Sequence, residues 1–281
     1  MKPGVANKVI SSRTVNSGSF NWTMPATQAL GSDYSVKITR TTFPKGSSAA
    51  TDYSDGYFAL IPAPARAWSK IKPVIDGRIG PREWEDAAQK SFTLSWNEEN
   101  HPAVLYIKND IDNLYIALKI FNEDINTNDI VDIRFDSNNN GVLDAGDDQI
   151  CAGFPVDYPW LGTPGTWCKD MFYCYPNSDP DNPSLIITYD TLDQAFVGTD
   201  NLQAMFTHTQ MTAAGINYGV KGTYIFEFSH PLNSGDIMHD IALTPGQQVS
   251  FIVLYLDNLE FQASYPGTSS SSFATIIVAT P

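Results

Sequence analysis

No run of about 18 apolar residues, the length a membrane-spanning helix needs, occurs in the chain. No transmembrane helix is expected. Basic residues are scarce: 17 Lys and Arg stand against 31 Asp and Glu, a net charge of −14. A nucleic-acid reader neutralises phosphates with a basic face, so that class is excluded. Catalytic signatures are missing as well. The histidines His101, His208, His230 and His239 stand in no H-E-x-x-H or H-x-E arrangement. There is no G-x-S-x-G elbow, P-loop or dinucleotide fingerprint. A glycosidase pair is set by distance in space rather than by spacing, but a non-catalytic protein is the reading taken. Cysteine is limited to Cys151, Cys168 and Cys174, in no zinc-like spacing. One disulfide and one free thiol is the simplest arithmetic for an exported protein. Cys168–Cys174 would staple a short loop; Cys151 with either would tie that loop to a strand. No apolar segment follows Met1-Lys2-Pro3-Gly4, so no signal peptide is read there. A secreted chain would then be a fragment or have lost its leader.

What is present points to β structure. Hydrophobic residues make up 42% and charged residues only 17%, with 19 Gly and 18 Pro to turn the chain. The most informative stretch is Asp136 to Asp148, D-S-N-N-N-G-V-L-D-A-G-D-D. Read as a calcium loop, Asp136, Asn138 and Asn140 take the first, third and fifth positions. Gly141 supplies the sharp turn at the sixth. Val142 gives its carbonyl at the seventh, Asp144 falls at the ninth and Asp147 at the twelfth, with Asp148 a possible substitute. A hard cation wants several oxygens, and alternate residues of a tight loop can deliver them. The flanks read as strands, Ile130 to Phe135 and Gln149 to Cys151, so a structural clamp is expected rather than a helix-opening sensor. The bland alternative is a polar hairpin turn.

In chain order, residues 1–65 read as short strands. Trp22 to Pro25, Gly31 to Ile38 and Ser54 to Leu60 resemble the Trp-x-x-Pro, Gly-x-x-Tyr-x-x-x-Ile and Ser-Asp-x-x-Phe-x-Ile runs of the Ig-like, Ser/Thr-rich GPI-anchored-type surface domain. That resemblance implies a partial Ig-like spacer, begun inside its domain, in a longer surface protein. Ile61 to Ala67 is a Pro/Ala linker. Residues 66–281 follow as the second domain. Its opening, Val74-Ile75-Asp76-Gly77 to Glu83-Trp84-Glu85-Asp86-Ala87, reads as a strand, an Asp-Gly turn and one helical turn facing Trp84 and Ala87 to the core. Next come a hairpin, Ala103 to Asp110 with Leu114 to Ile120, and the run Glu227-x-x-x-Pro231-Leu232-x-x-Gly235-Asp236. Pro245-Gly246, Val249 to Tyr255 and a closing Phe273 to Ala279 complete the order. Over residues 72–281 this order resembles the family-nine carbohydrate-binding-module and DOMON-like superfamily. The resemblance implies an all-β chain ending in a larger antiparallel β-sandwich.

Phe154 to Pro183 breaks the strand rhythm, and a loop of that length is usually functional. Sugars offer flat C–H faces to aromatic rings and hydroxyls to polar groups. Tyr158, Trp160, Trp167, Tyr173 and Tyr175 in this insertion, and Trp96 beside Asn97, Glu98 and Glu99, are therefore the candidate ligand residues. The resemblance implies a carbohydrate or cell-surface glycan as partner and a secreted or surface setting. Two alternatives are carried: a structural adhesion or filament component with no small ligand, and a haem b-binding, electron-transfer relative using Met205, Met211, Met238 or His208.

Overall fold

The computed structural model describes residues 9–15, 22, 31–40, 51–56, 58–60, 65–96, 98–126, 129–143, 147–153, 167–174, 186–189, 201–236, 240–258, 260–266 and 273–281; of these, 31–33, 58–60, 167–174, 186–189 and 260–262 are described as backbone. The chain forms two compact units, Met1–Pro62 and Ala63–Pro281. In the first, β1 (Gly31–Tyr34) pairs antiparallel with β4 (Phe58–Leu60), and β2 (Lys37–Thr39) with β3 (Thr51–Tyr53). The run that begins at Gly31 is broken between β1 and β2 at Ser35 and Val36. There Val36 N–H turns aside to Ser54 Oγ at 3.2 Å.

The second unit holds two antiparallel sheets. The five-stranded sheet runs β12 (Gln203–His208), β15 (Lys221–Pro231), β7 (Asn113–Asp124), β6 (Glu99–Asn109), β5 (Ala88–Trp96). The seven-stranded sheet runs β11 (Ile186–Tyr189), β10 (Trp167–Cys174), β9 (Asp148–Gly153), β8 (Ile130–Asp136), β16 (Gln248–Asp257), β17 (Glu260–Tyr265), with β18 (Ala274–Ile277) also on β16. A hairpin of β13 (Met211–Thr212) and β14 (Gly215–Ile216) lies apart.

Period-two alternation fixes which side chains meet. Leu114, Ile116, Leu118 and Ile120 of β7, with Tyr224, Phe226 and Phe228 of β15, join Val131, Ile133 and Phe135 of β8 and Val249, Phe251, Val253 and Tyr255 of β16 in one buried core. Each such side chain contributes about 1.5–3 kcal/mol by leaving water. The other face of the five-stranded sheet has a smaller core of Trp84, Tyr115 and Ala117, flanked by Ile75, Ile79, Ala87 and Tyr106. The segment from 68 to 87 covers that face. It does so through bends and turns, not the strand and helical turn expected there. Trp84 and Ala87 do reach the core, but Ala87 N–H closes a tight turn on Trp84 O at 3.2 Å.

One expected loop contains a strand. Trp167–Cys174 pairs along β9 from Trp167↔Gly153 to Phe172↔Asp148, and carries β11 on its other edge. Trp, Cys, Phe and Tyr fit a pleated surface even without clean alternation, and β9 offers a ladder to join. This overturns the Cys168–Cys174 staple. Six residues of strand span about 20 Å, whereas bridged Cα atoms sit within about 7 Å. Cys151 is buried as a free thiol, and burial pushes its pKa up.

Candidate functional site

The Asp136–Asp148 turn joins β8 to β9 and is built from side-chain-to-amide bonds. Asp136 Oδ1 accepts Asn140 N–H at 3.0 Å and its Oδ2 accepts Gly141 N–H at 2.9 Å. Asn138 Oδ1 accepts the same Asn140 amide at 2.9 Å, and Asn140 Oδ1 accepts Val142 N–H at 2.8 Å. The first, third and fifth side chains thus accept amides of the loop's own backbone. Asn139 at φ 54° and Gly141 at φ 84° supply the left-handed steps. Asn tolerates that conformation and Gly meets no Cβ penalty. The loop closes where Ser137 N–H donates to Asp147 Oδ1 at 2.9 Å and Asp148 N–H to Ser137 Oγ at 3.0 Å. Asn139 anchors it to β16, donating to Gln248 O at 3.0 Å and accepting Ser250 N–H at 3.1 Å.

Asp136 and Asp147 are 0% and 1% exposed, while Val142 is 55% exposed. Carboxylate and amide oxygens are the donor type that a hard cation such as calcium takes. An amide bond takes one lone pair of an oxygen that has more than one. Asp144 lies outside the described residues. Asp148 does not turn with its neighbour. Its Oδ2 accepts Ile241 N–H at 3.1 Å and lies 4.0 Å from His230 Nε2, on the inward face of β9. The pleat sends adjacent residues to opposite sides, so Asp147 stays with the loop and Asp148 leaves it.

Among the expected ligand aromatics, Tyr158, Trp160 and Tyr175 lie outside the described residues. Trp167 and Tyr173 are placed as backbone on β10. Trp96 is half-buried at the end of β5. Its ring stacks on His101 at 3.7 Å with planes 9° apart and leans on Tyr255 at 5.1 Å. One face of that indole is therefore occupied within the protein.

Behind Trp96 lies a buried polar cluster that the sequence did not announce. Asn122, at φ 61°, forms a bulge on β7 opposite Gly222 and Thr223. A bulge re-aims the next side chain, and Glu123 turns into the core. Tyr255 OH donates to Glu123 Oε1 at 3.1 Å, and His101 Nδ1 lies 2.7 Å from Glu123 Oε2. Burial pushes the Glu123 carboxyl up to about 9 and lowers His101. At neutral pH Glu123 is thus protonated and can donate to His101. Nearby, Tyr224 OH donates to Asp129 Oδ2 at 2.7 Å, and burial raises Asp129 to about 7. His208 Nε2 bonds Glu123 O at 3.0 Å and its Nδ1 accepts Gln210 N–H at 3.2 Å. A ring engaged at both nitrogens offers iron no lone pair. Met205 and Met211 are half-buried on their strands, and Met238 lies outside the described residues.

A second hub joins two motifs far apart in sequence. Glu227 Oε2 accepts the amides of Asp76, Gly77 and Arg78 at 3.0, 2.8 and 3.1 Å. Its Oε1 accepts Trp84 Nε1–H at 2.8 Å. Gly77 sits at φ 77°, where a Cβ would meet Thr207 Cγ2 at 2.5 Å. Lys108 is buried below Trp84, donating to Ile71 O at 2.7 Å, to Asp86 Oδ1 at 2.9 Å and to Glu83 O. The Ile-Asp-Gly turn, the Glu-Trp turn and the Glu-x-x-x-Pro-Leu run are thus parts of one structural clasp.

No family model and no curated protein matches the chain. Among solved structures, it is similar to a family 9 carbohydrate-binding module from Caldicellulosiruptor kristjanssonii. In its cellotriose complex that module is 13% identical with a TM-score of 0.43, over 77% of this chain and 94% of that one. In its glucose complex the identity and TM-score are the same, over 77% and 96%. A presumed carbohydrate-binding protein from Bacteroides uniformis is 7% identical with a TM-score of 0.47, over 76% of this chain and 97% of that one.

Proposed function

We propose that the second unit is a non-catalytic, extracellular carbohydrate-binding module with a structural calcium ion in the β8–β9 loop, beside an Ig-like spacer. The observation that carries the calcium reading is the nested set of bonds by which Asp136, Asn138 and Asn140 accept the loop's own amides around a φ-positive Gly141. Asp136, Asn138, Asn140, the Val142 carbonyl, Asp144 and Asp147 would hold the ion. It would neutralise buried acids and, through Asn139, brace the loop against β16.

The glycan reading is supported by the resemblance along residues 72–281. It is supported too by the aromatic wealth of the insertion, one part of which lies on the sheet as β10. Trp167 and Tyr173 on that strand, with Tyr158, Trp160 and Tyr175, are the rings proposed to stack on sugar faces. The test has two arms on the full chain. Calcium should raise the melting temperature over chelator, and cello-oligosaccharides or other glycans from an array should shift tryptophan fluorescence. Trp160→Ala or Trp167→Ala should abolish the second response and leave the first. A glycan response unaffected by both substitutions, or none across the array, would overturn the carbohydrate reading and leave a structural surface component.

A further inference from the structure

Asp148, His230 and Asp240 bring one donor atom each to within 4.8 Å of one another, all three side chains being buried. They come from three separate places. Asp148 begins β9 of the seven-stranded sheet, and His230 is near the end of β15 in the five-stranded sheet, at the inward positions shared with Phe226 and Phe228. Asp240 precedes β16 on a segment tied beside β15 by Leu243 N–H to Leu232 O at 2.6 Å and by the Asn233↔Ala242 bridge.

The second observation is the histidine's tautomer. His230 Nδ1 lies 2.7 Å from Pro231 O. A carbonyl only accepts, so Nδ1 carries the proton, and Nε2 is the atom 4.0 Å from Asp148 Oδ2. A backbone carbonyl holding the far nitrogen is how metal-ligating imidazoles are oriented and made more basic. The carboxylates are oriented in the same way. Ile241 N–H donates to Asp148 Oδ2 at 3.1 Å, and Asn201 Nδ2 donates to Asp240 Oδ2 at 2.7 Å. Donors around one small ion, at about 2.1 Å each, stand about 3–4 Å apart. The trio's spread of up to 4.8 Å is wider, so an ion would draw the side chains together on binding.

We propose that Asp148, His230 and Asp240 form a second metal site, for a divalent transition ion of the zinc or cobalt class. Calcium takes oxygen donors and has little use for imidazole; an N,O,O set suits a borderline ion. The ion would cross-link the two sheets. The site is separate from the β8–β9 loop although Asp147 and Asp148 are adjacent, and it stands whether or not that loop holds calcium.

The experiment uses the full chain after chelation. Co²⁺ titration is followed by visible absorption, with Zn²⁺ as competitor. One equivalent of Co²⁺ should bind, be displaced by Zn²⁺, and shift the His230 imidazole resonance in the unaltered protein. His230→Gln should weaken Co²⁺ binding by more than about tenfold, whereas Asp136→Ala should leave it intact. Absence of Co²⁺ binding would overturn the site, as would binding that survives His230→Gln or is lost with Asp136→Ala. A His230 that titrates as a plain ion pair with no metal-induced shift would also overturn it, and requires no variant.

Discussion

Two clusters of buried acid in the second unit reach opposite solutions. Glu227 is 0% exposed, and four protein N–H groups meet its two oxygens. Burial raises its pKa and the four hydrogen bonds act the other way. That clasp is complete within the protein. At the β8–β9 turn, Asp136 and Asp147 are equally buried, while Asp148 next to them turns away to Ile241 N–H. Hydrogen bonds to amides orient those groups without neutralising their like charges. One acid inside a ring of donors makes architecture; the buried acids of the turn are the ones for which a cation is proposed.

Breaking the complete clasp should cost most. Glu227→Ala leaves three amides and an indole N–H buried without their acceptor, and should lose about 3–5 kcal/mol in urea unfolding, with or without calcium. Asp136→Ala should behave differently. It should cost about 1–3 kcal/mol in chelator, through the two amides left without Asp136, and also forfeit the gain from calcium, about 2.7 kcal/mol at a hundred times the dissociation constant. Melting curves of both variants with calcium and with chelator separate the two kinds of site. A calcium response that persists in Asp136→Ala would erase the distinction.

Glu123 sharpens the comparison by showing a third solution, a carboxyl that keeps its proton. Folded Glu123 titrates at about 9 and an unconstrained Glu at 4.5. Between these values the folded state holds the extra proton, so stability is full below 4.5 and falls as pH rises toward 9. Asp129, raised from 3.8 to about 7, adds the same sign over a lower window. Urea midpoints taken from pH 5 to 9 should therefore decline. Glu123→Gln should flatten the upper part of that decline and leave the Asp129 portion. The smallest effect is expected at Lys221 and Glu99, which pair on the surface with side chains 54% and 51% exposed. Solvent screens such pairs, and Glu99→Ala should melt indistinguishably from the parent.

These contrasts also show what could be seen in the sequence. The hairpin of β6 and β7 was legible as two apolar runs joined by a polar turn, and β8 and β16 as short β-like runs between turn residues. The polar turn between β8 and β9 was legible because its chemistry is local: every bond among Asp136, Asn138, Asn140 and Val142 spans five residues or fewer. The strand β10 was hidden, since its residues lack alternation and its pairing comes from β9. The glutamate clasp joins residues about 150 apart, so its motifs could be matched to a family but not connected. Nothing marked Glu123 as inward, because the bulge at Asn122 depends on pairing with Gly222 and Thr223. His230 sits where alternation wants an apolar side chain, the one signal that could have singled it out.

Asn139 has a further consequence. Strand β8 stops at Asp136, opposite Ser250, while β16 begins earlier, at Gln248. The start of β16 would otherwise present bare ladder groups on that side. One asparagine amide meets both Gln248 O and Ser250 N–H, standing in for the missing length of strand. A naked edge invites pairing with a neighbouring molecule. The β8–β9 turn therefore doubles as a guard against self-association, and chains whose turn has opened are the ones expected to aggregate.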